Sequence, residues 1–275
     1  MRIAAVLSFA LVAVGSPVLA APPTQTSGCA GPFLAKAPGE IPTPGPGQTL
    51  AGVELPAGGR GPNGTYWVSH EPVDDPGRLW GDLAGRFDET GLWPVLSDFP
   101  SQLMLDPYAE WEDPADLDAA AVLADLWQLM GIDDTVADVV GGGFPGLADP
   151  QSVCVNSVVD SRLFDLPLDS HLLLVPVVRP ADVIDHLGTW IGFATPPEMS
   201  AVFRSWEDRF GMFLLVMEQS YLVMGIERPP KDRASRERFW AELIAIDPSV
   251  VPINWDRDDV GEPVDDIIYF RFQPR

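Results

Sequence analysis

The sequence is poor in basic residues and in cysteines. Its 275 residues include 17 Lys and Arg against 40 Asp and Glu, a formal net charge of −23, and only two cysteines. Such a negative surface repels phosphate backbones and anionic headgroups, so we expect no binding to nucleic acid or to anionic lipid. The charge acts either as a solubility surface or as an attraction for basic partners or divalent cations.

Basic residues are missing altogether from the middle of the chain. Residues 87–161 contain no Lys or Arg and fifteen acidic residues. The hydrophobic content of 46%, with 9% aromatics, is nevertheless ample for a packed core. Global disorder is therefore excluded, and the length allows one large domain or two small ones.

Motifs for catalysis and for metal binding are also lacking. The histidines form no HExxH pattern or close ligand pair, and neither a GxSxG elbow nor a cysteine-protease signature occurs. They are His70, His171 and His186. Residues 254–265 approach the spacing of a calcium loop, but Asp259 stands where the sharp turn needs Gly. We interpret that likeness as adventitious, with a cation site as the alternative, and we expect no metal and no cofactor.

An apolar run long enough for export opens the chain. MRIAAVLSFALVAVGSPVLAAPP places Arg2 before the apolar residues 3–14, followed by Gly15, Pro17 and small residues. This pattern is typical of a secretory signal peptide over residues 1–20, cleaved near Ala20. The run is too short for a permanent anchor. We therefore predict a periplasmic or secreted protein with no membrane span after signal removal.

The predicted compartment determines the expected state of the two cysteines. In an oxidising environment Cys29 and Cys154 are natural disulfide partners. Closing so long a loop stabilises a fold by up to about 4–5 kcal/mol in the entropic model. The alternatives are two free thiols, or Cys29 as a lipid-attachment site. The lipid alternative is weakened because Thr26 stands where an aliphatic residue is required.

Composition divides the mature chain into three segments. Residues 21–64 are rich in Pro and Gly, which indicates a tether or an extended arm with at most a short strand near 49–55. Residues 65–165 form an acidic, less regular α/β region that opens with the strand-like TYWVSHEPV. Residues 166–275 carry the most regular pattern.

The acidic region contains one clear helical pattern, over residues 113–131. Asp113 is the predicted N-cap, and Pro114 suits the first helical position. The predicted apolar face consists of Leu117, Val122, Leu126 and Leu129. The glycines of GGGFPG, residues 141–146, indicate a flexible loop, because the Lys and Ser/Thr of a phosphate-binding loop are missing.

The C-terminal segment alternates apolar strands with helices. The strands are predicted at 171–178, 212–217, 221–226 and 265–272, with one helix ending at Gly211 and a second running from Asp232 to Pro248. The order β-α-β-β-α-β predicts an α+β domain of the ferredoxin-like, or split βαβ, type. Its antiparallel four-stranded sheet has two helices on one face.

The stretch FRSWEDRFG, residues 203–211 and called the nonapeptide below, crowds charges beside aromatic rings. Thr195 and Glu198 predict a capping box, and Gly211 a left-handed C-cap. One helical face collects Met199, Val202, Phe203, Trp206 and Phe210. Arg204 and Asp208 are spaced to pair. Packing thus explains the stretch, with its ions facing outward.

The alternative is that the charged residues of the nonapeptide also serve a ligand. The candidate ligand-binding residues are Trp206, Glu207, Asp208, Arg209 and Arg228. A second basic cluster surrounds the start of the last helix and comprises Arg228, Lys231, Arg233, Arg236 and Arg238. We interpret it as an exposed helix paired to Glu237 and Glu242. The alternatives are an anionic pocket or a dock for the acidic half of the chain.

The nonapeptide, with the apolar hairpin and Arg228-Pro229-Pro230 after it, is similar to the signature of a bacterial family known as domain of unknown function 4253. Leu187-Gly188-x-Trp190, Thr90-Gly91-Leu92-Trp93-Pro94 and TYWVSHEPV also fit, so the resemblance covers most of residues 50–250. Two departures are the ending IIYFRFQPR, where the family has a tryptophan-rich acidic tail, and the export signal. The resemblance implies no established activity.

The expected function is that of a non-enzymatic binding or protein-interaction module, because no nucleophile, base and orienting group come together in the sequence. One alternative is a hydrolase with paired carboxylates, for which Glu207 and Asp208 are the candidates. Another is a toxin-neutralising, immunity-like protein or an envelope-stress partner. The first and third interpretations imply a protein partner.

Overall fold

A mostly antiparallel sheet of seven strands lies at the centre of the protein, which confirms the predicted α+β class. The computed structural model describes residues 33–43, 45, 47–98, 112–130, 143–154, 169–188, 194–218, 221–250 and 267–271. The strands are β1 (Thr49–Leu50), β2 (Val53–Glu54), β3 (Gly58–Arg60), β4 (Trp67–Ser69), β5 (Leu92–Ser97), β6 (His171–Pro176), β7 (Met212–Met217), β8 (Tyr221–Ile226) and β9 (Ile267–Arg271). The order in the sheet is β3-β4-β6-β5-β7-β8-β9, while β1 and β2 form a separate hairpin.

Helices cover the sheet. They are α1 (Pro76–Ala84), α2 (Phe87–Thr90), α3 (Ala119–Leu129), α4 (Val183–Leu187), α5 (Pro196–Phe210) and α6 (Arg233–Ile246). Short 3-10 helices occupy Pro114–Asp116, Pro180–Asp182 and Pro248–Val250. Every residue of β5 and of β7 is buried, so both faces of the central strands are covered. Trp80 of α1 packs on one face, against Trp93 and Phe213.

The ferredoxin-like sheet order predicted for the C-terminal segment is wrong, although its element order is confirmed. β5 comes from upstream and lies between β6 and β7, antiparallel to β6 and parallel to β7. The strands on either side of α5 therefore run in opposite directions, whereas a split βαβ unit needs them parallel. β9 pairs with β8, so β7, β8 and β9 are neighbouring antiparallel strands, with α6 in the connection between β8 and β9. The sheet thus crosses the predicted domain boundary at 165/166.

The sequence concealed β5 because Pro94 stands in its middle. Proline cannot donate to a ladder and is rare in central strands. Here two tryptophans supply other donors: the indole of Trp93 donates to the carbonyl of Leu214 in β7 at 2.9 Å, and the indole of Trp80 donates to the carbonyl of Pro94 at 2.8 Å. These buried bonds hold β5 in place where the backbone N–H is missing.

Residues 33–43, called the N-terminal arm below, are docked on the sheet. Phe33 packs on Trp93 and Phe213, with ring centroids 5.1 and 5.6 Å away. The backbone of Ala35 donates to Val178, and that of Gly39 to Gly91 at 2.8 Å. The interpretation as an extended arm therefore holds for these residues, and the alternative of a free tether does not.

The helix predicted over residues 113–131 begins later than expected. Asp113 caps a 3-10 turn, and Asp118 is the N-cap of α3, accepting from the backbone of Ala120. Val122 and Leu126 are buried as predicted, but Leu129 is 62% exposed. The buried face of α3 is centred on Leu123 and Trp127 rather than on the predicted residues, so Leu129 lies at the edge of that face, where the helix ends.

The caps predicted for α5 and α6 are confirmed. Thr195 and Glu198 form the capping box, Gly211 is left-handed with φ of 62°, and Asp232 caps α6. The strand pair 212–217 and 221–226 is antiparallel, as predicted for a hairpin. Within the described ranges, the structure has no helix with the length and apolar character that a bilayer crossing requires. The predicted signal peptide, Cys29 and residues 254–265 lie outside those ranges.

The contact between the N-terminal arm and Gly91 can be tested by adding a methyl group. A Cβ on Gly91 would lie 2.3 Å from the carbonyl oxygen of Ala37, on a backbone with φ of 62°. We expect Gly91→Ala to lower the free energy of unfolding by about 3 kcal/mol or more, measured by urea denaturation. The matched control is Gly47→Ala, since Gly47 also has a positive φ but nothing lies within 4 Å. Its expected loss is about 1–2 kcal/mol, and equal losses would contradict the docked arm.

Candidate functional site

The nonapeptide forms the C-terminal half of α5, which is covered nearly all round. Its predicted apolar face is buried as expected: Met199, Val202, Phe203, Trp206 and Phe210. The side chains of Glu207 and Arg209 are buried as well, so the expectation that the ions face outward is wrong for both. The reason is that α5 packs between the sheet and α3, α4 and α6, which leaves it little solvent-facing surface. Asp208 alone among the acidic residues of the stretch points outward, with 58% of its side chain exposed.

A buried ion pair joins α5 to α6. The guanidinium of Arg209 donates twice to Glu242, from Nη1 to Oε1 at 2.8 Å and from Nη2 to Oε2 at 2.6 Å. The indole of Trp206 donates to the same carboxylate at 2.7 Å, and so does the backbone N–H of Ala148 at 2.6 Å. Glu242 is fully buried. Two-point contact and four donors satisfy a charge that is otherwise costly to desolvate.

The same residues hold the segment that follows α3. Arg209 Nη1 donates to the carbonyl of Ala148, and the backbone of Gln151 donates to the carbonyl of Arg209. Arg238 of α6 pairs with Asp149 at 3.2 Å. The acidic region is therefore held against α5 and α6 mainly through Arg209, and Arg238 is the member of the basic cluster that takes part, through Asp149. Arg233 pairs with Glu237 as predicted, whereas Glu242 pairs with Arg209 rather than with the start of α6.

A second cluster surrounds Arg179, which follows β6. Its Nε donates to Glu207 Oε2 at 2.9 Å, and its Nη2 donates to Asp208 Oδ1 at 2.6 Å. The predicted pair between Arg204 and Asp208 is wrong. Arg204 instead contacts Asp182 at 2.5 Å, because the 3-10 helix brings that carboxylate closer than its neighbour one turn along α5.

Burial sets the protonation of this cluster. Desolvation raises the pKa of Glu207 to about 7, because it outweighs the attraction of Arg179. Burial also opposes the charge of Arg179, but Glu207 and Asp208 outweigh it and raise the pKa of that guanidinium. Arg179 therefore stays charged, and the carboxyl of Glu207 is the group that titrates near neutrality.

Arg228 caps the end of α5 rather than facing a cavity. Its Nη2 donates to the carbonyls of Glu207 and Asp208 at 3.1 and 3.0 Å. The adjacent Glu227 is buried, which raises the pKa of its carboxyl to about 7 against the opposing effect of Arg228. A Cβ on Gly211 would lie 3.0 Å from Glu227 Oε2, so this acid lies against the helix C-cap. Capping carbonyls with cations suits the negative end of the helix dipole.

These contacts place the five candidate ligand-binding residues in two internal clusters. Trp206 and Arg209 belong to the buried ion pair, while Glu207, Asp208 and Arg228 belong to the end of α5. Among the described residues, no group of three or more His, Cys, Asp or Glu side chains is arranged to hold a metal ion. The arrangement ties structural elements together, and its two carboxyl groups with a pKa near neutrality, those of Glu207 and Glu227, are both buried.

A groove of about 570 Å³ lies elsewhere, beside α1. We call it the α1 groove. The β1–β2 hairpin, the loop 72–75 and α1 form its walls, with Val53, Leu55, Val73 and Leu79 as apolar lining. Its charged lining consists of Glu54, Asp74, Asp75, Arg78, Asp82 and Arg86. Arg78 pairs with Asp75 at 2.9 Å and with Asp82 at 3.6 Å, so the lining carries an excess of negative charge.

Sequence reasoning missed Arg179 and the α1 groove, and it assigned Glu242 to the basic cluster instead of to Arg209. Glu242 had a signal, because a lone acid in the apolar run WAELIAI is buried and needs a cationic partner. Arg179 ends an apolar strand, which is a common place for a surface charge and gives no such signal. The α1 groove joins residues from three separate segments, and no local pattern in the sequence brings them together.

The fold and these clusters define an α+β protein in which buried ion pairs fix the central helix. Residues 171–256 match the model of the family described as Domain of unknown function (DUF4253). The match contains the whole nonapeptide, as the resemblance predicted. No curated protein and no solved structure matches the chain.

The buried ion pair between Arg209 and Glu242 generates a stability prediction. We expect Glu242→Gln to lower the free energy of unfolding by about 3–5 kcal/mol, because it leaves the charge of Arg209 buried without its partner. The control on the same helix is Glu237→Gln, which removes an exposed i,i+4 pair and costs at most about 1 kcal/mol. Chemical denaturation of the two variants measures both losses in the free energy of unfolding. Similar losses would show that the buried pair carries no special weight.

Proposed function

We propose that this protein is an exported, non-enzymatic module that binds another protein through the α1 groove. The observation that carries the proposal is the groove itself, a mostly polar surface in which an excess of carboxylates surrounds the partly exposed Val53 and Leu79. Such a surface suits a segment that presents an apolar side chain flanked by Lys or Arg. The net charge of −23 adds long-range attraction for the same class of partner.

The buried position of the nonapeptide favours a binding role over catalysis. A general acid must reach its substrate, but Glu207 is sealed inside the protein and its neighbour Asp208 is held by the same arginine. Trp206 and Arg209 are bound to Glu242 and so have no free polar group to offer a ligand. The hydrolase alternative with paired carboxylates is therefore disfavoured. A toxin-neutralising or envelope-stress role stays within the proposal, since both need a protein partner.

Export and a Cys29–Cys154 disulfide belong to the same proposal and rest on the sequence. The signal-like residues 1–20 support secretion, and an oxidising compartment supports pairing of the two cysteines. Cys154 lies three residues after Gln151, whose backbone is hydrogen-bonded to α5. A disulfide at this point ties the start of the mature chain to the segment that docks on α5 and α6.

The binding proposal is tested by reversing charge in the α1 groove. Glu54 and Asp74 are exposed groove residues outside the ion pairs of Arg78. We expect the double variant Glu54→Lys/Asp74→Lys to lose a protein that the unmodified mature chain retains from an extract of its own cell envelope. The readout is affinity capture followed by mass spectrometry.

The matched control changes the net charge equally at exposed positions outside the groove, in Glu112→Lys/Asp125→Lys. It is expected to retain the partner. Equal capture by all three proteins would rule out the groove as the binding surface. Turnover of an ester, peptide or glycoside substrate that disappears in Glu207→Gln would overturn the non-enzymatic assignment.

The export proposal predicts where the mature chain begins and whether its two cysteines are oxidised. We expect N-terminal sequencing of the protein from the periplasm or medium to begin just after Ala20. Iodoacetamide is expected to label Cys29 and Cys154 only after reduction, because a disulfide protects both thiols. An unprocessed cytoplasmic chain, or labelling without a reductant, would contradict this part of the proposal.

A further inference from the structure

We propose that the C-terminal turn of α5 is a proton-sensitive joint, in which the carboxyl group of Glu207 controls how firmly Arg179 holds the segment after β6 against the helix. We call this contact the α5 joint. It is independent of the α1 groove, since none of the groove residues takes part in it.

The hydrogen bonding of the Glu207 carboxyl group is incomplete at one of its two oxygens. Its Oε2 accepts a hydrogen bond from Arg179, but its Oε1 is buried and accepts none from any described residue. Buried polar atoms are nearly always hydrogen-bonded, so an exception of this kind calls for an explanation. A carboxylate in this position carries a charge that is satisfied at one oxygen only. Protonation removes the charge that burial penalises, although it does not provide a partner for Oε1.

One guanidinium links the joint together. Arg179 contacts Glu207 and Asp208 and also donates from Nη2 to the carbonyl of Arg204 at 3.3 Å. Residues 179–187 are fixed further by the backbone N–H of Asp185, which donates to Ser200 Oγ at 3.0 Å. Opening the joint therefore separates the 3-10 helix and α4 from the last turns of α5.

Charged groups face Glu207 from each neighbouring element. Arg179 approaches from the end of β6, Asp182 from the 3-10 helix and Asp208 from α5 itself. Beyond them, Arg204 binds Asp182 and lies 3.9 Å from Asp113, which precedes α3. From the end of β8, Arg228 reaches the backbone carbonyl of Glu207. Of these groups Arg179 favours the charged carboxylate, while Asp182 and Asp208 disfavour it.

Burial has the largest effect on the pKa of Glu207, and the direction of the pH dependence follows from it. The pKa of Glu207 is raised from 4.5 to about 7, so the closed joint keeps its proton up to neutral pH while an opened, hydrated joint loses it at lower pH. Between these values, opening releases a proton and is favoured by rising pH. The joint is therefore firm below about pH 5, and its opening increases up to pH 7 and then levels off.

The experiment is hydrogen exchange of the backbone amides in residues 207–211 of the full mature chain, corrected for the intrinsic effect of pH. We expect protection to fall by up to about tenfold per pH unit between pH 5 and 7, and to stay level above pH 7. Glu207→Gln, which keeps the shape without the charge, should give constant protection over this range. Amides in the middle of α6 serve as the internal reference and should change little.

Two variants separate Glu207 from its neighbours. Asp208→Asn alters the exposed carboxylate on the same guanidinium and should keep the pH dependence of the unmodified chain. Glu227→Gln should also keep it, although Glu227 is a second buried acid near the helix end. A dependence that survives Glu207→Gln and disappears in Glu227→Gln would overturn the assignment. So would an equal loss of protection in α6, which indicates global unfolding.

A measurement without mutation gives an independent test. The side-chain carboxyl carbon of Glu207 in the unmodified protein should titrate by NMR with a midpoint near pH 7. A midpoint near the ordinary value of about 4.3 for Glu would overturn the proposal.

Discussion

The buried contact between Arg209 and Glu242 constrains most of the architecture. An unpaired charge cannot stay in an apolar interior, so the two residues must meet whenever α5 and α6 pack. The planar guanidinium and the carboxylate meet at two points, which leaves little freedom in the relative position of the helices. Ala148 contributes both its N–H and its carbonyl to the pair, so the acidic region is drawn into the same arrangement.

The central position of α5 explains why its charges are internal. A helix on the outside of a domain can turn its polar residues to water, and the alternation in the nonapeptide is compatible with such a position. Here α5 is covered by the sheet on one side and by other helices on the others, so each ion needs an internal partner. Arg179, Asp182 and Glu242 provide these partners. The motif therefore specifies packing, and the groove that is open to solvent lies in another part of the molecule, beside α1.

Local features of the fold could be predicted from the sequence, and long-range ones could not. The caps of α5 at Thr195 and Gly211 depend on residues within one helical turn, and such patterns are visible in a single sequence. β5 is different, because Pro94 argues against a central strand until the indoles of Trp80 and Trp93 are known to supply other donors. Because β5 was not predicted as a strand, the predicted order of the sheet was wrong.

The candidate site shows the same division. Glu207 and Asp208 were recognisable as acids beside aromatic residues, but their partner Arg179 is distant in sequence and bears no motif. Arg204 and Asp208 have the spacing of a pair, yet tertiary contacts with Asp182 and Arg179 replace an interaction worth only about 0.2–0.5 kcal/mol. Weak local preferences of that size do not survive competition with less exposed partners.

The sheet order has a consequence for the family-matched residues 171–256. They supply β6, β7 and β8, but β6 and β7 do not touch, since β5 fills the space between them. Without residues 92–97, the facing edges of both strands would carry unpaired backbone groups, and the ring of Phe213 would lose Trp93. The matched residues therefore need the upstream strand to close their own core. The structural unit extends beyond the family match to β5, the N-terminal arm and α1, and a stable protein must include them.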